Sequence, residues 1–302
     1  MLLIIQSVLS LGLIFSLLTF GVHLTFRVLE IPDLSVEGTI ILGAAMSASL
    51  IHAGFSPFIA TMLSMLVGCL GGLATGLLHT KCKIPPILAG ILTMIASYSI
   101  VLRILGMGTP TGIRSNVTLV RIPTVFDALD PIGLSGNSAV IVISFAFLAL
   151  CGTLLYCFYG TEIGAALRAT GNNRQMAKAQ GVNTDIMIIL GLVVANGFVG
   201  LAGGLWAQQL GFADVSMGGG IIVIGLASVI IAEVLFRVRR FWVRMLTLVL
   251  GSTIYRAIIA LVLEMGLAAS DLRLFTAITV AVALSLPMVR DKFSYFKKRR
   301  AS

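Results

Sequence analysis

The sequence predicts an all-α, polytopic membrane protein with about nine to ten transmembrane helices and an inverted internal repeat, and three observations predict it. The 302-residue chain is 58% hydrophobic and only 11% charged, with a mean hydropathy of +1.06, well outside soluble usage. Apolar runs near the ~20 residues needed to cross a bilayer recur along its whole length. The polar tract DLSVEGTIIL at 33–42 returns as DVSMGGGIIV at 214–223.

Taken in order, residues 2–26 form the first span, with Arg27 at its far end. No Lys or Arg precedes this apolar run and no A-x-A-like site follows it, so it reads as a retained helix rather than a cleaved signal. Pro32, Asp33 and Ser35 then break the helical pattern. Asp33 or Ser35 is placed to cap the next helix, with Glu37 in its first turn, and the second span opens at about Gly38. The third span, 57–79, carries Gly68, Gly72 and Gly76 on one face, the spacing that lets membrane helices approach closely. After the basic KCK (81–83), Pro85 and Pro86 start a fourth span that ends near Gly106.

The segment 107–137 reads as the longest connection on the opposite face, loop-like with a short helix at 123–129. A fifth span (138–159) precedes the polar stretch 160–185, and a sixth (186–208) contains Gly200 and Gly204. The tract QQLGFADVSMGGG (208–220) precedes the seventh span (221–236), RVRR (237–240), the eighth (243–263), the ninth (272–289) and a basic tail at 290–300. Every basic cluster then falls on one side, which the positive-inside rule makes cytoplasmic. The N-terminus is expected outside and the C-terminus inside, with a tenth segment if one connection is re-entrant.

Residues 160–185 are the one long polar stretch within the membrane-like chain. Thr161 is placed to cap a helix, and Glu162 sits where the helix dipole favours an anion. Ala165, Ala166, Leu167, Arg168 and Ala169 are helix formers. Gly171, Asn172 and Asn173 supply a stop, and Gly181 and Asn183 a second one. A short helix pair of this kind suits docking to something cytoplasmic, although an ordinary positive-inside loop has the same composition.

The two tracts share Asp33/Asp214, Ser35/Ser216, Gly38/Gly219 and the following isoleucine pairs at one fixed offset. Five spans separate them, so the copies are inverted across the membrane, a plan known from transporters whose pathway lies between the repeats. The first repeat covers about 27–155 and the second about 186–290, in a single domain over 1–302.

Other chemistry is excluded. The net charge of +9 gathers in short interhelical segments with no aromatic-interleaved basic patch, which argues against nucleic acid. The four cysteines form no CxxC pair, and His23, His52 and His79 have no ligand spacing, so no metal site is expected. No phosphate-binding G-x-x-x-x-G-K-[ST], G-x-S-x-G or H-E-x-x-H occurs. Arg103 and Glu233 lie near span ends. Arg256 is the deepest charge and is expected to pair with Glu233 or a backbone carbonyl. Such a chain reads as a passive gate driven from outside itself.

IPDLSVEG (31–38), GAALRATGNNRQMAKAQGVNTD (164–185) with the following LAGGLWAQ, and GFADVSMGGGIIVIGLASVIIAEVLF (211–236) resemble the permeases of ABC importers in the branched-chain amino-acid and ribose permease superfamily. The last tract is similar to a subgroup linked to uptake of amino acids, including aromatic ones. The resemblance implies a non-enzymatic permease in a bacterial cytoplasmic membrane, paired with a second copy, surrounded by lipid, served by a substrate-binding protein and driven by a cytoplasmic ATPase. ATP and Mg belong to that partner, and this chain binds no cofactor. Glu162, Gly164, Ala165, Ala166, Leu167, Arg168, Ala169, Thr170 and Gly171 are implied to couple to the ATPase, with Arg168 facing an acid of it. Asp33, Ser35, Glu37, Gly38, Gln208, Asp214, Ser216, Met217 and Gly219 are implied as pathway or gate residues. A permease for a sugar or nucleoside, or a stand-alone secondary transporter, is the alternative.

Overall fold

A computed structural model describes residues 2–264, apart from 134, 135, 237 and 239, together with residue 278. The helices are α1 (Leu2–His23), α2 (Val36–His52), α3 (Pro57–Thr80), α4 (Pro86–Leu105), α5 (Asn137–Gly160), α6 (Glu162–Asn172), α7 (Arg174–Ala179), α8 (Thr184–Leu210), α9 (Ile221–Leu235) and α10 (Phe241–Glu264). Among the described residues, seven helical stretches are long and apolar enough to cross a membrane, and α2 is a shorter apolar helix. This is a multi-pass membrane protein. The first eight expected spans each have their helix. The ninth and the basic tail fall outside the described residues, Ile278 apart.

Helix α8 is central, flanked by α1, α2 and α3, and glycines let these helices touch backbone to backbone. A Cβ on Gly72 of α3 would lie 2.2 Å from the Leu192 carbonyl oxygen, and one on Gly43 of α2 would lie 2.0 Å from that of Gly200. The α3 glycine face is therefore a packing seam against α8. A Cβ at Gly203 would come within 2.0 Å of the Ile40 carbonyl oxygen. Gly203→Leu is therefore expected to force α2 from α8 and cost at least ~1–3 kcal/mol. The check is a lowered thermal midpoint of the purified protein in detergent.

The two ends of the bundle differ. One carries α6 and α7. At the other, β1 (Asn116–Thr118) pairs antiparallel with β2 (Phe212–Asp214), Asn116 lying opposite Asp214. A 3-10 helix, Val125–Ile132, stands where a short helix was expected. The strand pair was not expected, because three residues carry no period and their partner is remote in sequence.

The second span is the shorter apolar helix α2, the seventh joins a 3-10 turn to α9 over Val215–Leu235, and both open on a break in the helix. α1 closes in a π turn (Leu24–Val28) near α6, and the chain reverses at Glu30, whose φ is 55°. The chain then climbs back, so that Asp33 bonds Asn196 halfway along α8 and Gly38 lies against Met94 and Ser97 in the middle of α4. From mid-height α2 runs to the ladder end, where Ser49 Oγ donates to the Ile104 carbonyl. The second tract descends from β2 until Gly218 meets the Glu37 carbonyl and Ile41. There α9 starts, and it runs to the α6 end, where Glu233 pairs with Arg27.

That pairing also corrects the expected partner of Arg256. Glu233 lies at the α6 end of α9, whereas Arg256 lies two-thirds of the way up α10. The guanidinium of Arg256 instead sits 3.7 Å from the centroid of the Phe15 ring, a cation–π contact.

Candidate functional site

Both Asp-x-Ser tracts fold into the same local turn. Asp33 Oδ1 accepts from the Ser35 backbone N–H at 2.9 Å and from its hydroxyl. Asp214 Oδ1 accepts from the Ser216 N–H at 2.7 Å and from its hydroxyl. Aspartate two residues before an N–H favours this arrangement. Met217 closes the second turn, its sulfur 3.2 Å from the Asp214 backbone N–H.

The surroundings of the two turns differ. Asp33 and Ser35 are both wholly buried. Asn196 Nδ2 donates to Asp33 Oδ2 at 2.8 Å, and Asn196 Oδ1 accepts from Thr39 at 2.5 Å and from Ser35 at 3.3 Å. Asp33 therefore ties the break before α2 to the middle of α8, with every polar atom satisfied inside apolar packing. Gln208 is also sealed in: it donates to Ser47 and Thr61 and accepts from the Val125 N–H, joining α8, α2, α3 and the 3-10 helix. Asp33, Ser35 and Gln208 are thus buried and hydrogen-bonded within the packing of the described residues.

The second tract borders an open cavity of about 450 Å³ at mid-height, between the first turn of α2, the middle of α4 and residues 215–219. Glu37, Gly38, Ser216 and Gly219 line it, with Met94 and Tyr98 on the α4 wall. Glu37 Oε1 accepts from the Gly220 backbone N–H at 3.1 Å. The start of α9 is thereby joined to the start of α2. Gly38 is the close-packed glycine expected, with a Cβ there falling 2.8 Å from Ser97 Cβ, but Gly219 faces open space and Gly218 takes the tight position.

At the α6 end, the polar stretch is a helix pair held by three side-chain caps. Thr161 accepts from the Gly164 N–H, Asn173 from Met176 and Asn183 from Ile186. An Arg174–Asp185 ion pair at 2.6 Å joins the pair to α8. Helix α6 has two faces. Gly164, Leu167 and Thr170 are buried, and a Cβ on Gly164 would lie 2.2 Å from the Phe158 carbonyl oxygen. Gly171 lies inside the last turn rather than past it, because its missing side chain admits the Val28 carbonyl, 1.8 Å from where a Cβ would stand. Glu162, Ile163, Ala165 and Arg168 are exposed, and Ala166 and Ala169 are half-buried. Arg168 turns back on α5, donating to the Gly164 and Tyr159 carbonyls.

Two residues that the arrangement depends on were missed from the sequence. Asn196 is the lone asparagine of the 186–208 run, a signal that was there to read. Ile163 looked like ordinary helix filler and is instead 47% exposed on the outer face of α6.

With this geometry in place, comparison with known proteins is informative. Residues 4–286 match the family model described as branched-chain amino acid transport system / permease component. The chain is 39% identical over 281 residues to a tyrosine transport system permease protein of Clostridioides difficile, covering 93% of this chain and 90% of that protein. It is 27% identical over 218 residues to an autoinducer 2 import system permease protein of Yersinia pseudotuberculosis, covering 72% of this chain and 58% of the relative. In fold it is similar to an inward-facing ABC transporter structure of metal-chelate type, with a TM-score of 0.50 at 16% identity, covering 95% of this chain and 85% of that one. The chain belongs to the branched-chain amino acid transport system permease family of ABC transporters, whose members are membrane-spanning permease subunits and not enzymes.

Proposed function

We propose that this chain is the permease of an ABC importer that moves an amino acid, in the first instance an aromatic one, across a bacterial cytoplasmic membrane. The observation that carries the reading is the outer face of α6 and α7: a capped helix pair at one end of an apolar bundle, with Ile163 and Met176 exposed among polar residues. Apolar side chains held out on a rigid polar end suit a protein partner, and an ATPase binding ATP and Mg supplies the energy this chain lacks. The relative named for tyrosine transport supports the cargo class.

In this reading a substrate-binding protein delivers the amino acid at the ladder end, a second copy of the chain completes the pathway, and lipid surrounds both. The N-terminus lies outside and the C-terminus in the cytoplasm. The two broken-helix tracts support an inverted repeat of about 27–155 and 186–290, with the pathway beside Glu37, Gly38, Ser216 and Gly219. Asp33, Ser35, Gln208, Asp214 and Met217 serve it by holding the tracts in place.

Reconstitution of the co-purified complex with its binding protein tests this. ATP-dependent accumulation of labelled tyrosine in proteoliposomes is expected, with none for the permease alone under an ion gradient. Accumulation by the permease alone would make it a secondary transporter. Accumulation of a sugar or nucleoside instead would keep the importer and change the cargo.

A further inference from the structure

The mid-height cavity combines one charge with an apolar wall. Glu37 is the one charged side chain among the described residues that line it. Ile41, Met94, Ile95 and Tyr98 make much of the remainder. A volume of about 450 Å³ falls within the roughly 300–1,000 Å³ range of small-molecule sites. The cavity also lies where the two broken spans meet, and the same carboxylate makes the contact between them.

Glu37 holds α9 by accepting from the Gly220 backbone N–H, at the end of that helix where its dipole favours an anion. This is a backbone amide, a neutral donor. An ammonium group in the cavity would be a stronger donor to the same oxygen, because a charged hydrogen bond is roughly twice as strong as a neutral one. A carboxylate drawn into the cavity by an ammonium is pulled from the Gly220 N–H, with which the ammonium competes for Oε1. To the extent that the ammonium wins, the start of α9 loses this tie to α2. The packing beneath this tie is close: a Cβ on Gly218 would lie 2.4 Å from the Glu37 carbonyl oxygen, so the two tracts already touch and need no further approach.

We propose that Glu37 recognises the ammonium group of a ligand with an apolar body, and that this recognition unlatches α9 from α2 so that occupancy of the cavity loosens the mid-membrane gate. The inference rests on the importer reading and deepens it. It assigns the permease itself a preference for cationic amino groups, separate from selection by the binding protein.

The test compares Glu37→Gln and Glu37→Asp with wild type in proteoliposomes holding the full importer and a ¹⁴C-labelled amino-acid mixture. Glutamine keeps an acceptor for Gly220 but has no charge, so a purely structural tie survives it. About a tenfold loss of uptake is expected for Glu37→Gln, the loss of one charged contact, with ATPase co-purification unchanged and partial recovery in Glu37→Asp. Wild-type uptake by Glu37→Gln would overturn the inference and leave the importer reading standing. Absence of amino-acid uptake in wild type would overturn both. If Glu37→Gln fails to assemble, Glu37→Asp decides: it must retain uptake with the same amino-acid mixture, and loss of uptake from an assembled Glu37→Asp complex overturns the proposal.

Discussion

Replacing Ile163 and Ala165 together by glutamate is expected to remove the ATPase from the purified complex while leaving the permease folded. Both side chains are exposed on the outer face of α6, and neither carries the packing of that helix. Two buried like charges in an apolar contact cost several kcal/mol, enough for a hundredfold or greater loss of association, roughly 3 kcal/mol or more. Pull-down of the partner ATPase from membranes, read beside the melting curve of the permease, measures it. Gly171→Ala is the contrasting variant. Its Cβ would stand 1.8 Å from the Val28 carbonyl oxygen, so α6 must leave the end of α1 and the folded protein itself should be lost. Retained ATPase binding in the Ile163/Ala165 double variant would remove α6 from the coupling interface.

The second large effect is expected at Asp33 and Asn196. Asn196→Leu leaves Asp33, Ser35 and Thr39 buried with a partner removed from each. Asp33 Oδ2 becomes an orphaned buried carboxylate oxygen, at about 1–3 kcal/mol or more, while Ser35 and Thr39 keep their bonds to Asp33 Oδ1 and the Ser35 carbonyl, so the variant should melt at a clearly lower temperature. Asp33→Ala alone should be nearly as damaging, and the double variant Asp33→Ala/Asn196→Ala should lose clearly less than the sum of the two single alanine variants, because the pair acts as a unit. Thermal midpoints of the three alanine variants in detergent supply the comparison. Additive losses would mean that Asp33 and Asn196 do not form one knot.

The legible parts of this protein follow from short-range physics. Hydropathy located the spans because lipid demands runs of apolar helix whatever their neighbours. The cap at Thr161 was readable because its partner lies three residues away, whereas Asn183, read as part of a helix stop, also caps the start of α8. The Asp-x-Ser repeat was readable as text, and both copies do make the same turn. Family membership was legible too, since the matching tracts spread over nearly the whole chain.

Contacts between remote segments were not legible in this way. Glu37 meeting Gly220, Arg27 meeting Glu233 and Gln208 joining three other elements all pair residues far apart in the chain. Asp33 and Glu37 stand four residues apart with similar side chains, and one is sealed against Asn196 while the other borders a cavity. Composition and periodicity place both at the break before α2. Which carboxylate is locked away and which is left at the cavity depends on the height at which that break meets α4, α8 and the second tract. Only the packed bundle sets that height, because apolar helices of similar length carry no register until glycines and a single buried asparagine impose one.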